Sequence, residues 1–295
     1  MNNWSADSFS IMIPEIYQLE STNVCNLFCP ACIRQDERVK RKLGFLDPEL
    51  LRTMINRHDF DGSFFVELQM YGEPTLHPRL HEIVLLLKSI GLKVGLSTNG
   101  TLMRENLLAL EKLDYMTISI DSVDKETYEK CRGTSFEDLI ESIDIVTTAC
   151  PKTKIDLQVI NFGGKDELSG LVALAQHRKW KVTCRAVPDC FAAYQGRPFP
   201  KQNMNQLCLN PWLSVSVQYD GDVVPCCFSA GKFIVYGNLY QNSLKEIWNT
   251  SPVKAHLMER MMYDYNKHEI PCMLCYMRSP TLFHTKMLME NLKKS

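Results

Sequence analysis

Phe64-Phe65-Val66-Glu67-Leu68-Gln69-Met70-Tyr71-Gly72-Glu73-Pro74 is a strand-like run closed by a tight end flanked by glycine and proline. An amphipathic stretch follows at 80–90, where Leu80, Ile83, Val84, Leu87 and Ile90 share one helical stripe. The next strand-like run, Lys93 to Leu96, ends in Ser97-Thr98-Asn99-Gly100. This strand–helix–strand unit recurs in both directions. Strand-like runs cover 16–20, 63–70, 93–97, 115–120, 154–160 and 181–187; helical runs cover 47–58, 80–90, 104–112, 135–149 and 166–179. Repeats of this length predict a parallel sheet with right-handed crossovers. Six strands fall short of a closed eight-stranded barrel, so the expected fold class is α/β, a curved, open, TIM-like partial (β/α)6 barrel. Its active site belongs at the C-terminal ends of the strands.

The first strand leads into Val24-Cys25-Asn26-Leu27-Phe28-Cys29-Pro30-Ala31-Cys32, a C-x3-C-x2-C spacing. Three thiolates in so short a run can hold three irons of a cubic iron–sulfur cluster, with the fourth iron left to an exchangeable ligand. Clusters of this class are ordinarily held by four cysteinates. The alternative is a structural zinc knuckle, which takes four N or S ligands in closed geometry. Three further motifs, Gly72-Glu73-Pro74, Ser97-Thr98-Asn99-Gly100 and Ser119-Ile120-Asp121, each close a predicted strand.

In that order, the cysteine triplet and these three motifs resemble the signature of the radical S-adenosylmethionine (SAM) superfamily. The resemblance implies that Cys25, Cys29 and Cys32 ligate a 4Fe–4S cluster. It also implies that SAM chelates the open iron and is cleaved reductively to methionine and a 5′-deoxyadenosyl radical. On this reading Gly72 and Glu73 face the SAM ammonium group with a carboxylate and backbone carbonyls. Ser97, Asn99 and Ser119 offer short hydrogen-bonding groups to ribose hydroxyls and the methionine carboxylate. Arg132, in Cys131-Arg132-Gly133, neutralises that carboxylate, and the strand around Ile160 presents backbone to the adenine edge. Simpler roles stand beside these. Asp121 also reads as a cap for a helix starting near Asp124, Arg132 as a surface residue, and Phe28 as packing over the cluster. Cys131, Cys150 and Cys184 have no ligand-like spacing and read as small core or surface residues.

Beyond residue 190 the rhythm changes. Asp189 to Asn210 reads as a linker. A hairpin follows, 213–218 and 223–225, joined through Tyr219-Asp220-Gly221-Asp222, and then short helices at 244–248 and 252–262. Cys208, Cys226, Cys272 and Cys275 supply four sulfurs, enough for a fully ligated cluster or for a structural zinc. The spacing from Cys208 through Gly221 to Cys226 resembles the SPASM extension of radical SAM enzymes. No cysteine follows Cys275, which resembles the shortened "twitch" form with one auxiliary cluster, making two 4Fe–4S clusters in all. Cys227 can exchange with Cys226 as ligand, stay inert, or face the substrate as a free thiol. The expected domains are 1–198, the partial barrel; 199–282, the auxiliary domain; and 283–295, a helical tail.

The short extension is known in carbohydrate-modifying members, the 2-deoxy-scyllo-inosamine dehydrogenase type among them. The resemblance implies oxidation of an alcohol carbon with the auxiliary cluster as electron acceptor. Arg185 and Asp189 are then candidate substrate contacts, with Tyr194 and Arg197 weaker ones. The alternative is an epimerase, or a peptide- or sugar-modifying enzyme, in which Cys227 or Cys190 returns a hydrogen atom. A non-catalytic two-cluster electron carrier fits less well, because a carrier has no use for a SAM pocket.

Acidic and basic residues nearly cancel, 34 against 33 in 295, which argues against a nucleic-acid partner. The basic run Arg38-Val39-Lys40-Arg41-Lys42 reads first as a solvated loop face and second as a clamp for an anionic substrate or SAM. No targeting segment or membrane span is expected. Twelve cysteines without a secretory signal point to metal or redox use in a reducing, cytoplasmic setting. The expected partners are a small molecule or short peptide as substrate and a flavodoxin- or ferredoxin-type reductant. Only 24 residues precede Cys25, which leaves no room there for a peptide-binding module.

Overall fold

The computed structural model of the chain describes residues 13–30, 32–35, 37–161, 166–188, 210–227, 229 and 234–263. Six parallel strands follow one another in space as they do in sequence: β1 (Glu15–Leu19), β2 (Phe65–Leu68), β3 (Lys93–Thr98), β4 (Tyr115–Ser119), β5 (Lys154–Asn161) and β6 (Val182–Pro188). Each strand alternates. Ile16, Val66, Leu68, Val94, Leu96, Met116, Ile118, Ile155 and Leu157 are buried in one continuous core, with Leu50, Leu51, Met54, Ile83, Leu87 and Ile143 of the covering helices. The residues between them point to the other face. That face is concave: Tyr17 on β1 and Glu67 on β2 both lie within electrostatic reach of Arg185 on β6. Residues from opposite edges of a six-strand sheet meet only if the sheet curls, which makes it a partial barrel.

The helices start where local chemistry starts them. α1 (Pro48–Asn56) has proline in its first turn and Asp47 accepting from the Glu49 amide. α2 (Leu80–Ser89) carries the apolar stripe. The expected 104–112 helix is a 3-10 turn, Arg104–Asn106, leading into α3 (Leu107–Leu110). α4 (Lys125–Arg132) is capped by Asp124, which accepts from the Thr127 amide, and ends at Gly133 with φ 71°. Asp121 is therefore not the cap. α5 (Phe136–Ala149) and α6 (Glu167–Arg178) begin on Ser135 and Asp166 caps.

The C-terminal hairpin is not a separate layer. After α7 (Asn210–Leu213), strand β7 (Ser214–Val217) pairs parallel with β1, Ile16 opposite Val215 and Leu19 opposite Val217. β8 (Asp222–Val224) and β9 (Gly237–Asn238) add antiparallel, so one nine-stranded sheet runs β6-β5-β4-β3-β2-β1-β7-β8-β9. Gly221, at φ 83°, closes the hairpin with its N–H on the Gln218 carbonyl at 2.9 Å. α8 (Leu244–Thr250) starts on a Ser243/Glu246 capping box, and α9 (Pro252–Tyr263) follows. α8 is fixed to the barrel through Asp59, which accepts from the Leu244 amide at 2.8 Å and pairs with Arg57 at 2.9 Å. The boundary expected at 198 and the tail expected at 283–295 lie outside the described residues. No helix among the described residues is long and apolar enough to cross a membrane.

Candidate functional site

The cysteine loop leaves β1 and is held by the strand end beside it. The Glu73 amide donates to the Val24 carbonyl at 2.8 Å. A Cβ on Gly72 would stand 2.1 Å from the Thr22 carbonyl oxygen, so this contact of two backbones requires glycine. The Glu73 carboxylate is buried and accepts from the Thr75 amide (3.1 Å), the Thr75 and Thr98 hydroxyls (2.7 Å each) and the Asn99 amide (2.6 Å). Burial raises its pKa while these donors work against the rise. The carboxylate therefore ties the second and third strand ends together, and what this segment can offer an ammonium group is its backbone carbonyls.

Two N–H donors point at the cysteine sulfurs. Asn99 Nδ2 lies 3.8 Å from Cys25 Sγ, and Arg132 Nη1 lies 3.9 Å from Cys29 Sγ. Arg132 is not a surface residue: Nε pairs with Asp121 Oδ2 at 2.6 Å. Burial opposes its charge, but Asp121 and Cys29 outweigh that and hold the guanidinium protonated. Asp121 reaches this position at φ 56°, a left-handed conformation that aspartate tolerates better than most residues. Asp121 Oδ1 and the Tyr128 hydroxyl, both buried, have no hydrogen-bond partner among the described residues. N–H donors on sulfur and unpaired buried oxygens beside Cys29 and Arg132 suit a thiolate-bound cluster with a polar ligand next to it. No three His, Cys, Asp or Glu side chains among the described residues close on a single metal ion. A cubane needs its three thiols farther apart than a lone ion does. The Phe28 ring is 77% exposed.

One layer below the loop, Ser97 Oγ lies 2.7 Å from both Glu67 Oε1 and Gln69 Oε1. Ser119, on β4, pairs in register with Gln158 on β5, and Ile160 lies half-buried near the end of β5. Arg185 pairs through Nε with Asp156 Oδ2 at 2.5 Å, and its Nη2 donates to Thr117 Oγ1 at 3.2 Å. The Tyr115 hydroxyl donates to the same Asp156 oxygen at 2.9 Å. Tyr17 donates to Glu67 and lies within electrostatic reach of Cys227, which brings that thiol to the same concave face. The sequence reading missed Glu67, Asp156, Tyr17 and Tyr115. For Glu67 and Asp156 the signal was present: a charged residue between two aliphatic ones inside a buried strand, as in Val66-Glu67-Leu68 and Ile155-Asp156-Leu157. Cys208, Cys272, Cys275, Cys190, Asp189, Tyr194 and Arg197 lie outside the described residues.

In the basic run Lys40 and Lys42 are exposed, as a solvated loop face requires, and Arg41 departs from that reading. Arg41 is neither a solvated residue nor a clamp; its side chain is 3% exposed and pairs with buried Glu20 at 2.5 Å. Arg41 Nη1 also donates to Gln218 Oε1 at 3.1 Å, and the guanidinium faces the rings of Tyr71 and Tyr219. Glu20 accepts in turn from the Tyr219 amide at 3.1 Å. This cluster joins β1, the segment after the cysteine loop and the β7–β8 turn.

A family model described as the Radical SAM superfamily matches residues 19–167, half of the chain. The chain belongs to the radical SAM superfamily. A SPASM model, an iron–sulfur cluster-binding domain, matches residues 208–293. Together the two domains imply iron–sulfur clusters and SAM binding. Among curated relatives, the antilisterial bacteriocin subtilosin biosynthesis protein AlbA of Bacillus subtilis is 25% identical over 84% of this chain and 62% of its own length. A tungsten-containing aldehyde ferredoxin oxidoreductase cofactor-modifying protein of Pyrococcus furiosus is 37% identical over 30% of this chain and 25% of its own. The chain thus spans a quarter to about three-fifths of these relatives. Among solved structures, Streptococcus suis SuiB bound to S-adenosylmethionine superposes with a TM-score of 0.67 at 14% identity, covering 92% of this chain and 72% of that one. BtrN in complex with AdoMet and 2-DOIA gives 0.53 at 19%, covering 88% and 92%. These likenesses show the α/β fold; the radical SAM and SPASM assignments rest on the two family models.

Proposed function

We propose that this radical SAM enzyme oxidises an alcohol carbon of a small, carbohydrate-like molecule held in the barrel lumen. The observation that carries this reading is the polar, hydroxyl-matching lining of the lumen: Arg185 oriented by Asp156 and Thr117, with Tyr17, Tyr115, Glu67 and Ser97 on neighbouring strands. Cys25, Cys29 and Cys32 hold the SAM-binding 4Fe–4S cluster, and Cys208, Cys226, Cys272 and Cys275 hold a second, auxiliary one. When bound, SAM and its cluster supply a carbon-centred radical that removes a hydrogen atom, and the auxiliary cluster supplies a one-electron acceptor. Around SAM, the Gly72–Glu73 carbonyls face its ammonium group, and Asn99, Ser97 and Ser119 face its hydroxyls and carboxylate. Arg132 sets the charge beside Cys29, and the backbone at Ile160 meets the adenine edge. Arg185 and Asp189 orient the substrate. A flavodoxin- or ferredoxin-type protein in the cytoplasm supplies the reducing electron.

A second reading has its own support. Cys227 lies within electrostatic reach of Tyr17 on the lumen face, as a thiol that returns a hydrogen atom must. AlbA acts in bacteriocin biosynthesis and SuiB binds a precursor peptide, so the substrate of that reading is a peptide or sugar that is epimerised or otherwise modified. Turnover in D2O separates the two. Oxidation yields a carbonyl with no solvent deuterium at that carbon, whereas a thiol donor, whose proton exchanges with solvent, places one deuterium there. Deuterium that disappears with Cys227→Ala would overturn the oxidation reading.

A further inference from the structure

We propose that Glu67 is the proton acceptor of the lumen, the group that takes the proton of a substrate hydroxyl as the carbon bearing it is oxidised. The inference rests on the oxidation reading and assigns the base that such a reaction needs. A secondary alcohol H–C–O–H becomes C=O by losing a hydrogen atom to the adenosyl radical, a proton to the Glu67 carboxylate and one electron to an iron–sulfur acceptor.

Position comes first. Glu67 sits on the concave face between Val66 and Leu68, which face the core. It contacts Ser97, two residues before Asn99, whose side chain reaches Cys25. Two residues of strand advance about 6–7 Å, which places the carboxyl one layer beneath the cysteine loop, where a substrate under SAM would lie. Phe65, two residues earlier on the same face, rests over Gly95, and its ring centroid lies 6.1 Å from that of Tyr17, forming an apolar floor.

Partner chemistry comes second. Four buried carboxylates, Glu20, Asp59, Asp121 and Asp156, each pair with an arginine, and a fifth, Asp222, accepts from Asn238 Nδ2 at 2.8 Å. Glu67, only 6% exposed, makes no ion pair among the described residues; its hydrogen bonds come from the Ser97 and Tyr17 hydroxyls. A guanidinium or a backbone N–H only donates, so it suits a carboxylate and no other state. A hydroxyl donates or accepts as it rotates, so two hydroxyls accommodate Glu67 both before and after it gains a proton. Glu73, held by two backbone N–H groups as well as hydroxyls, lacks that freedom. Burial pushes the Glu67 carboxyl up; Ser97, Arg185 and Tyr17 pull it down, and Asp156 pushes it up. Among the described residues, the other titratable groups within reach on this face are Glu15, Tyr115 and Cys227. A raised carboxyl pKa suits a base that works near neutral pH.

The test compares the reconstituted wild-type protein with Glu67→Gln on a panel of carbon-deuterated cyclitols and hexoses. In the variant, the carbonyl formed per deuterium transferred into 5′-deoxyadenosine should fall by about 10²–10⁴-fold. Infrared difference spectra recorded without substrate give a second readout. A carboxylic-acid C=O band absent from Glu67→Gln should titrate above the ordinary glutamate range of about 4.3. Wild-type carbonyl formation by Glu67→Gln overturns the assignment alone, as does a Glu67 band that titrates with the exposed glutamates. If the wild type takes deuterium from no member of the panel, or takes it and forms no carbonyl, the oxidation reading fails and the Glu67 assignment falls with it.

Discussion

Gly72 admits no side chain, because the atoms in the way are backbone: the Thr22 oxygen at 2.1 Å and the Val24 oxygen at 2.7 Å from a built Cβ. Gly72→Ala should destabilise the fold by about 1–3 kcal/mol and lower the iron retained at Cys25, Cys29 and Cys32. Urea unfolding and iron analysis after anaerobic reconstitution measure the two effects. Glu15 supports a pH prediction. Burial pushes its carboxyl up to about 7 from the ordinary 4.5, so between those values the folded state binds more protons than the unfolded one. Its stabilising share is complete below about 4.5 and is lost as pH rises through 7. Glu15→Gln should leave stability at pH 4 unchanged and raise it at pH 8 by at most about 3 kcal/mol, less what solvent screening removes. Equal denaturant midpoints for the two proteins at pH 8 would discard the assignment. At this scale the motifs were legible as residue types and their partners were not. Glu73 showed itself as a strand-end carboxylate, but its ties to Thr98 and Asn99 cross 25 and 26 positions of sequence, and no local pattern encodes them.

The Glu20–Arg41 pair binds three elements, so its loss should be felt in all of them. Removing one partner leaves a buried charge alone, and Arg41→Met should cost about 3–5 kcal/mol. The double replacement Glu20→Leu with Arg41→Met should be milder than either single change, and a double-mutant cycle by chemical denaturation reads the coupling. Additive losses would mean that the pair does not act as a unit. Elements with strong periodicity were legible to within a residue or two: α2 was expected at 80–90 and spans Leu80–Ser89, and β5 was expected at 154–160 and spans Lys154–Asn161. α4 gave no such stripe, since Tyr128 is its one buried residue, and only its Asp124 cap hinted at it. Arg41 was misread because a basic run looks solvated until its carboxylate, 21 positions earlier, is brought beside it.

At the scale of the whole molecule, the SPASM region extends the sheet beyond β1, a pairing between residues some 200 positions apart that no local pattern reveals. The Asp59–Leu244 and Arg57–Leu239 bonds fix the same region from the other side of β1. Barrel and extension should therefore unfold in one cooperative transition. Asp59→Ala, which leaves the Leu244 amide and the Arg57 guanidinium without their carboxylate, should lower the stability read from that single transition by about 1–3 kcal/mol rather than split it. Two resolved calorimetric transitions in the wild type would show the units to be independent. The parallel seat of β7 on β1 also sets a timetable. A ribosome adding about 5–20 residues per second takes about 10–40 s to travel from the first strand to the strand that completes its second edge. Throughout that interval the cysteine loop hangs from a strand with one open side. Iron–sulfur delivery to the nascent chain would meet an unfinished cradle, so this topology favours maturation after release.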